Sequence, residues 1–245
     1  MRSNNTFHVL FLLARPAAGK SEIIKFINNL PISERLEKFH IGEIREIDDF
    51  PMLWDWFEED AILNKLGKPS LHSDTDGYFL HRYFWDVLIE KICNEFDKAE
   101  RDQDSDHPVT YLIEFSRGTE HGGYQSAFKH LTRAILTNAA ILYVNVPWEE
   151  SLRKNRKRFN PDRPDSILEH SLPDRKLEKL YRYSDWEVVS QNDNEYIEIN
   201  GKKIPYVVFE NSDDVTSEQG EKLRERLTEN LQVLWNIYNK NGLIN

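Results

Sequence analysis

A chain of 245 residues, 39% apolar and 30% charged, is long enough to bury a sizeable core, and its ten glycines and ten prolines form no biased tract of the kind that marks a disordered chain. The net charge of −10 argues against nucleic acid or an anionic membrane as a broad electrostatic partner, and no apolar run approaches the roughly eighteen residues of a membrane span. A single cysteine, Cys93, excludes an internal disulfide, and the polar stretch Met1–Thr6 argues against a secretory leader, so a cytoplasmic chain is expected.

Phe7–Leu13 is a continuous apolar run without alternation, the pattern of a central parallel strand buried on both faces. Directly behind it comes A-R-P-A-A-G-K-S, residues Ala14, Arg15, Pro16, Ala17, Ala18, Gly19, Lys20 and Ser21. This has the form of a phosphate-binding loop: Gly19 lets the backbone approach phosphate oxygens, Lys20 reaches the β/γ-phosphates and the Ser21 hydroxyl meets Mg²⁺. A helix starting near Gly19 adds its dipole. Ala14 stands where the strict pattern has its first glycine, and a polar turn between strand and helix is the plainer alternative. That helix runs to Pro31, with Ile23, Ile24, Phe26, Ile27 and Leu30 on its apolar face. A second strand is expected over Phe39–Ile47. It ends at the acidic pair Asp48 and Asp49, at the strand edge where α/β sheets hold ligands.

The segment Phe50–Asp60 is aromatic and acidic, and a long helix, apolar on most sides and largely buried, is predicted from about Asp76 to Lys98. Cys93 in that helix reads as an inert buried thiol. After a charged connector, Val109–Phe115 is a third strand leading into S-R-G-T-E-H-G-G. A helix over Tyr124–Leu136 and a fourth strand over Ala139–Val146 follow. From Ser151 to Arg182 ten Lys and Arg stand against five Asp and Glu, so something anionic is expected to meet this segment. Tyr196–Ile199, Asn200-Gly201 and Ile204–Phe209 read as a hairpin with a two-residue turn, although Val207–Phe209 also suits a last core strand. Leu223, Leu227, Leu231 and Leu234 mark an amphipathic C-terminal helix capped near Thr216 or Ser217. Together these elements predict one α/β domain with a doubly wound, mostly parallel five-stranded sheet and flanking helices.

At this point the chain resembles the P-loop kinases of the nucleoside-monophosphate-kinase and shikimate-kinase type. The likeness rests on the phosphate loop within the first twenty-five residues, on A-I-L-Y-V-N-V-P-W-E-E-S-L-R-K-N-R-K-R, which is similar to a fourth strand followed by an Arg-rich lid, and on V-V-F-E-N at Val207–Asn211, similar to a last strand whose following loop lies beside adenine. The resemblance implies ATP and Mg²⁺ as cofactors, a single domain over 1–245, an acceptor-binding insertion at about 50–82 and a lid at about 149–186. It puts Lys20 on the phosphates, Ser21 on Mg²⁺ and Asn211 and Arg158 against the nucleotide. It also implies that arginines of the lid clamp the transferring group, with Arg153 and Arg156 favoured over Arg158 and Arg163. A carboxylate at the end of the second or third strand, Asp48, Asp49 or Glu114, would hold the metal or serve as base. Whether Glu114 faces the site is open. Arg117, just past the third strand, would contact the acceptor, and His121 is a candidate proton-transfer group.

Between Phe50 and Leu63 there is neither Lys nor Arg. Such a wall suits a hydroxyl-bearing or cationic small-molecule acceptor stacked on Trp54 or Trp56, with Arg82 and Arg117 left to supply positive charge; core packing is the plainer role for the tryptophans. The leading expectation is an ATP-dependent phosphotransferase acting on a small molecule. A nucleotide-binding regulatory protein and a nucleic-acid end kinase are the alternatives, the last opposed by the acidic remainder of the chain. The oligomeric state is left open.

Overall fold

The computed structural model describes residues 5–158 and 171–242. Among the described residues six strands form one sheet: β1 (Val9–Ala14), β2 (Glu43–Asp48), β3 (Val109–Phe115), β4 (Ala139–Asn145), β5 (Tyr196–Ile199) and β6 (Lys202–Glu210), in the spatial order β2-β3-β1-β4-β6-β5. Every neighbouring pair is parallel except β5 with β6. The expected five strands become six because the hairpin and the last core strand are one feature. β6 pairs with β4 from Ile141↔Tyr206 to Asn145↔Glu210, and on its other edge with β5 across the Asn200-Gly201 turn.

The helices are α1 (Lys20–Asn28), α2 (Ile32–Glu34), α3 (Asp49–Lys65), α4 (Phe84–Arg101), α5 (Gly123–Lys129), α6 (Arg133–Leu136), α7 (Trp148–Arg158), α8 (Asp174–Tyr181), α9 (Trp186–Ser190), α10 (Val215–Glu218) and α11 (Glu221–Gly242). Alternation along the buried strands divides the core in two. Val9, Phe11 and Leu13 join Tyr111, Ile113 and Ile141 under α4, α5 and α6. Leu10, Leu12 and Ala14 join Leu112 and Leu142 under α1 and α11, where Leu223, Leu227, Leu231 and Leu234 are fully buried. Each such leucine contributes about 1.5–3 kcal/mol relative to exposure, so α11 is fixed by its one apolar stripe.

Local chemistry moved several predicted boundaries. β2 begins at Glu43 rather than Phe39, because Arg35–Phe39 closes a π-helical turn that His40 ends in the left-handed region at φ 55°. The predicted helix from Asp76 begins at Phe84, since the Asp74 carboxylate accepts the N–H groups of Asp76 and Tyr78 and so forms a turn instead. That helix is buried on one side only, with Tyr83 and Val87 exposed. Tyr124–Leu136 is two helices, α5 and α6, the second capped by Thr132. Thr216 lies inside the short α10, and α11 starts afresh at Glu221.

Candidate functional site

The loop between β1 and α1 is held open by side chains that reach it from three distant elements. The Tyr124 hydroxyl donates to Ala14 O at 3.1 Å, the Ser151 hydroxyl to Pro16 O at 2.8 Å and the Asn211 amide to Ala18 O at 2.8 Å. With these carbonyls tied back, none of the backbone N–H groups from Ala17 to Ser21 has an acceptor among the described residues. A row of unpaired N–H groups at a helix start is an anion-binding concavity. Gly19 is needed twice over. Its φ of 109° disfavours other residues, and a Cβ there would stand 2.5 Å from Thr216 Oγ1 and 2.8 Å from Asn211 Nδ2. Lys20, half-buried, donates to Ser116 Oγ at 2.9 Å, and Ser21 is exposed on the first helical turn.

Two residues read as nucleotide contacts act as braces instead. Asn211 is fully buried, and its amide N–H groups are committed to Ala18 O and Thr216 Oγ1. Arg15 donates through Nε, Nη1 and Nη2 to the carbonyls of Tyr181, Val146 and Arg182, tying the loop to the end of α8.

Beside Lys20 lies a group of buried charges. Register fixes the first pair: Asp48 at the end of β2 is the Cα partner of Glu114 in β3, so Glu114 faces this cluster. Burial, then the neighbouring charge of Glu114, pushes the Asp48 carboxyl up to about 8, and burial likewise raises Glu114, with Lys20 and the hydrogen bond from Asp48 opposing it. The pair therefore shares a proton at neutral pH, Asp48 donating to Glu114. Glu114 Oε2 has no hydrogen-bond partner among the described residues. Asp48 also caps α3 by accepting the Phe50 N–H at 3.0 Å. Asp49 has a different partner, Arg117 Nη1 at 2.5 Å, and burial still raises its carboxyl.

Arg117 is 2% exposed, and it also donates to the carbonyls of Ser116 and Trp85. It is walled in rather than open to an acceptor, which corrects the reading of it as a contact residue. It positions Asp49, the strand end and Trp85. Carboxylates, a hydroxyl and an orphaned carboxylate oxygen are hard oxygen donors suited to Mg²⁺, with Ser21, Asp48 and Glu114 as the residues able to hold it. No group of three or more His, Cys, Asp or Glu that could hold a metal occurs among the described residues, so phosphate and water would have to complete the coordination.

A cavity of about 200 Å³ opens next to this cluster, between α3, residues 77–85, the turn Thr119–His121 and α8. Phe50, Phe57, Tyr78, Phe79, Trp85 and Tyr181 supply its aromatic walls, and Arg82, Lys176, Lys179 and Glu120 its charges. Tyr181 is within electrostatic reach of both Arg117 and Asp49. The expected tryptophans are not in it: Trp54 donates to Glu58 on the surface, and Trp56 is buried flat against His72 at 5.2 Å.

The lid arginines also differ from expectation. Arg153 bridges Glu150 and Asp214, and Arg156 binds Asp174, all as exposed ion pairs, so neither side chain reaches toward the loop. Arg158 ends α7, and Arg163 lies outside the described residues. Sequence reasoning missed Ser116, Tyr124 and Lys176. Only Ser116 carried a signal, its place at the end of β3 beside Arg117.

No protein-family model matches the sequence, and no curated protein matches it. Among solved structures, a sugar kinase from Janibacter sp. HTCC2649 overlaps 94% of this chain and 95% of its own at 15% identity, with a TM-score of 0.39. A Thermus thermophilus protein overlaps 94% of this chain and 97% of its own at 11% identity, with a TM-score of 0.43. Overlaps this loose carry no argument about activity, and the chemical case rests on the residues of the site. No helix among the described residues is long and apolar enough to cross a membrane.

Proposed function

We propose that the chain is an ATP-dependent phosphotransferase that moves the γ-phosphoryl group to a hydroxyl of a small molecule. The observation that carries this reading is the run of unpaired N–H groups from Ala17 to Ser21 ending beside Lys20 and the proton-sharing pair Asp48 and Glu114. The N–H groups bind phosphate oxygens, and Lys20 exchanges Ser116 for the β/γ-phosphates. Mg²⁺, held through Ser21 and Glu114, supplies neutralising charge when bound. A cation at Glu114 would displace the proton that the pair shares, and Asp48, ionised once that proton has left to solvent, would then accept the proton of the acceptor hydroxyl. Arg117 and Asp49 keep this strand end in place and hold Trp85 against the cavity.

The cavity favours an acceptor-dependent enzyme over a nucleotide switch, because a switch needs no enclosed aromatic pocket beside its carboxylates. The test is ADP release with Mg²⁺, with and without pooled nucleosides, sugars, amino alcohols and nucleoside monophosphates. One pool is expected to raise turnover well above the acceptor-free rate, and Lys20→Ala to lower it by 100-fold or more (~3 kcal/mol) while leaving the fold intact by circular dichroism. Equal turnover in every pool, with nucleotide still bound, would sink the kinase reading in favour of the switch.

A further inference from the structure

We infer that the outer edge of β6 is a docking site for an extended segment of a partner protein, about five residues long, in which apolar residues alternate with Lys or Arg. One side of β6 is paired with β4 along Tyr206–Glu210. On the other side β5 reaches only as far as Tyr206, whose N–H donates to Glu195 O at 2.9 Å. Beyond that point alternation fixes the direction of each backbone group. Asn211 N–H donates to Asn145 O at 2.9 Å, on the β4 side, so Val207 and Phe209 also turn to β4 while Val208 turns away. The Val208 N–H and C=O have no partner among the described residues. An N–H and a C=O offered together by one strand residue are answered by the backbone of a second strand, not by a helix or a small apolar molecule. Lysine and proline commonly blunt such edges. Here Lys202, Lys203 and Pro205 lie in the half of β6 that β5 already covers, and Tyr206–Glu210 carries neither.

The open edge is set in a groove of about 600 Å³ between β6 and α11. Both ends of the groove are tied to that helix. At one, Arg226 Nη1 donates to Glu210 O at 2.8 Å, and at the other Lys240 pairs with Glu195 at 3.5 Å. The stretch Tyr206–Glu210 between them spans ~16 Å at about 3.3 Å per residue, which sets the length of the docked segment. Val207 belongs to the core beneath α11 and Tyr206 to the core on the opposite face. Every second residue of an added strand therefore lies over α11, against Ile237 and Val233, the latter 52% exposed.

Charge supplies the polar half of the pattern. Glu195 and Glu229 line the groove, and Glu210 stands at its end. The neighbouring cations are engaged, Arg226 by Asp213 at 2.6 Å and Lys240 by Glu195, and Glu229 has no ion pair or hydrogen bond among the described residues. A cationic strand complements this edge. A second copy of the same edge does not, because a two-fold axis at Val208 would set Glu210 of each copy beside Glu195 of the other.

The experiment titrates the full chain with capped five-residue peptides and follows the backbone amide NMR shifts of Val208 and Val233. Lys-Val-Lys-Val-Lys is compared with Glu-Val-Glu-Val-Glu and with the basic peptide N-methylated at its three middle residues, which keeps the charge and the valines but removes the donors. The basic peptide is expected to bind at least tenfold tighter than either. Val208→Pro removes an N–H that points away from β4, a place where an edge strand tolerates proline. Read at Val233, it is expected to weaken basic-peptide binding at least tenfold with circular dichroism unchanged. Glu229→Lys, an exposed change on α11, is expected to lower the preference for the basic peptide at least threefold. A Val208→Pro chain that fails to fold would mean that this N–H is already paired, and would overturn the inference. So would equal binding of the two charge types, indifference to N-methylation, or no binding of the basic peptide. A free chain that sediments as a dimer, and as a monomer with Val208→Pro, would overturn it too by assigning the edge to a second copy.

Discussion

Asp60 in α3 and the pair Asp48 and Glu114 at the strand ends put carboxylates out of water in two different ways. Burial alone would raise Asp60, but the Ser73 hydroxyl and the N–H groups of Leu71, His72 and Ser73 all donate to it, at 2.7–3.2 Å, and together hold it below its ordinary value. Asp48 and Glu114 face each other with one proton between them and an oxygen left unsatisfied, and both are raised. A carboxylate answered by its own chain is a fastening. One answered by a second carboxylate is a vacancy for a cation or proton, and the chain bears that cost in stability.

The largest effect that sharpens this contrast is Asp60→Ala. Leaving the N–H groups of Leu71, His72 and Ser73 without their acceptor should cost about 3 kcal/mol or more in urea unfolding, and an effect under about 1 kcal/mol would break the contrast. Asp48→Asn should do the opposite. The folded pKa lies above the unfolded value of about 3.9, so between the two the folded chain keeps a proton that the unfolded chain has released, and stability falls as pH rises from about 4 toward 8. Asparagine is neutral in both states and can still donate to Glu114 and cap Phe50. The variant should therefore match wild type near pH 4 and become progressively more stable than it toward pH 8, while turnover is lost; parallel pH profiles would refute the shared proton. Smallest is Arg156→Gln, which removes an exposed pair with Asp174. It should leave the urea midpoint unchanged and turnover within threefold, and a larger kinetic loss would return this arginine to the site.

How much could be read beforehand follows from how local each signal is. β1, β3 and β4 were legible because a strand buried on both faces must be apolar throughout, and the start of α1 at Lys20 because the turn before it is set by local sequence. Glu114 was ambiguous for the same reason β3 was clear: with both faces buried, apolar alternation cannot say which way a residue points, and only the register with Asp48 decides. Asp48 and Asp49 looked equivalent in sequence, yet one ends a strand and the other opens a helix, so they meet different partners. The cavity gathers residues from Phe50 to Tyr181, and no local pattern could assemble it. The tryptophans misled because Asp60 folds the following segment back, laying His72 over Trp56.

The amide of Asn211 reaches Ala18 across 193 residues of chain, and Thr216 closes the same contact. A ribosome working at about 5–20 residues per second makes the brace roughly 10–40 s after the loop. Through that interval the chain carries the loop's sequence without the loop's shape. The braced loop is therefore timed by the arrival of β6 and α10.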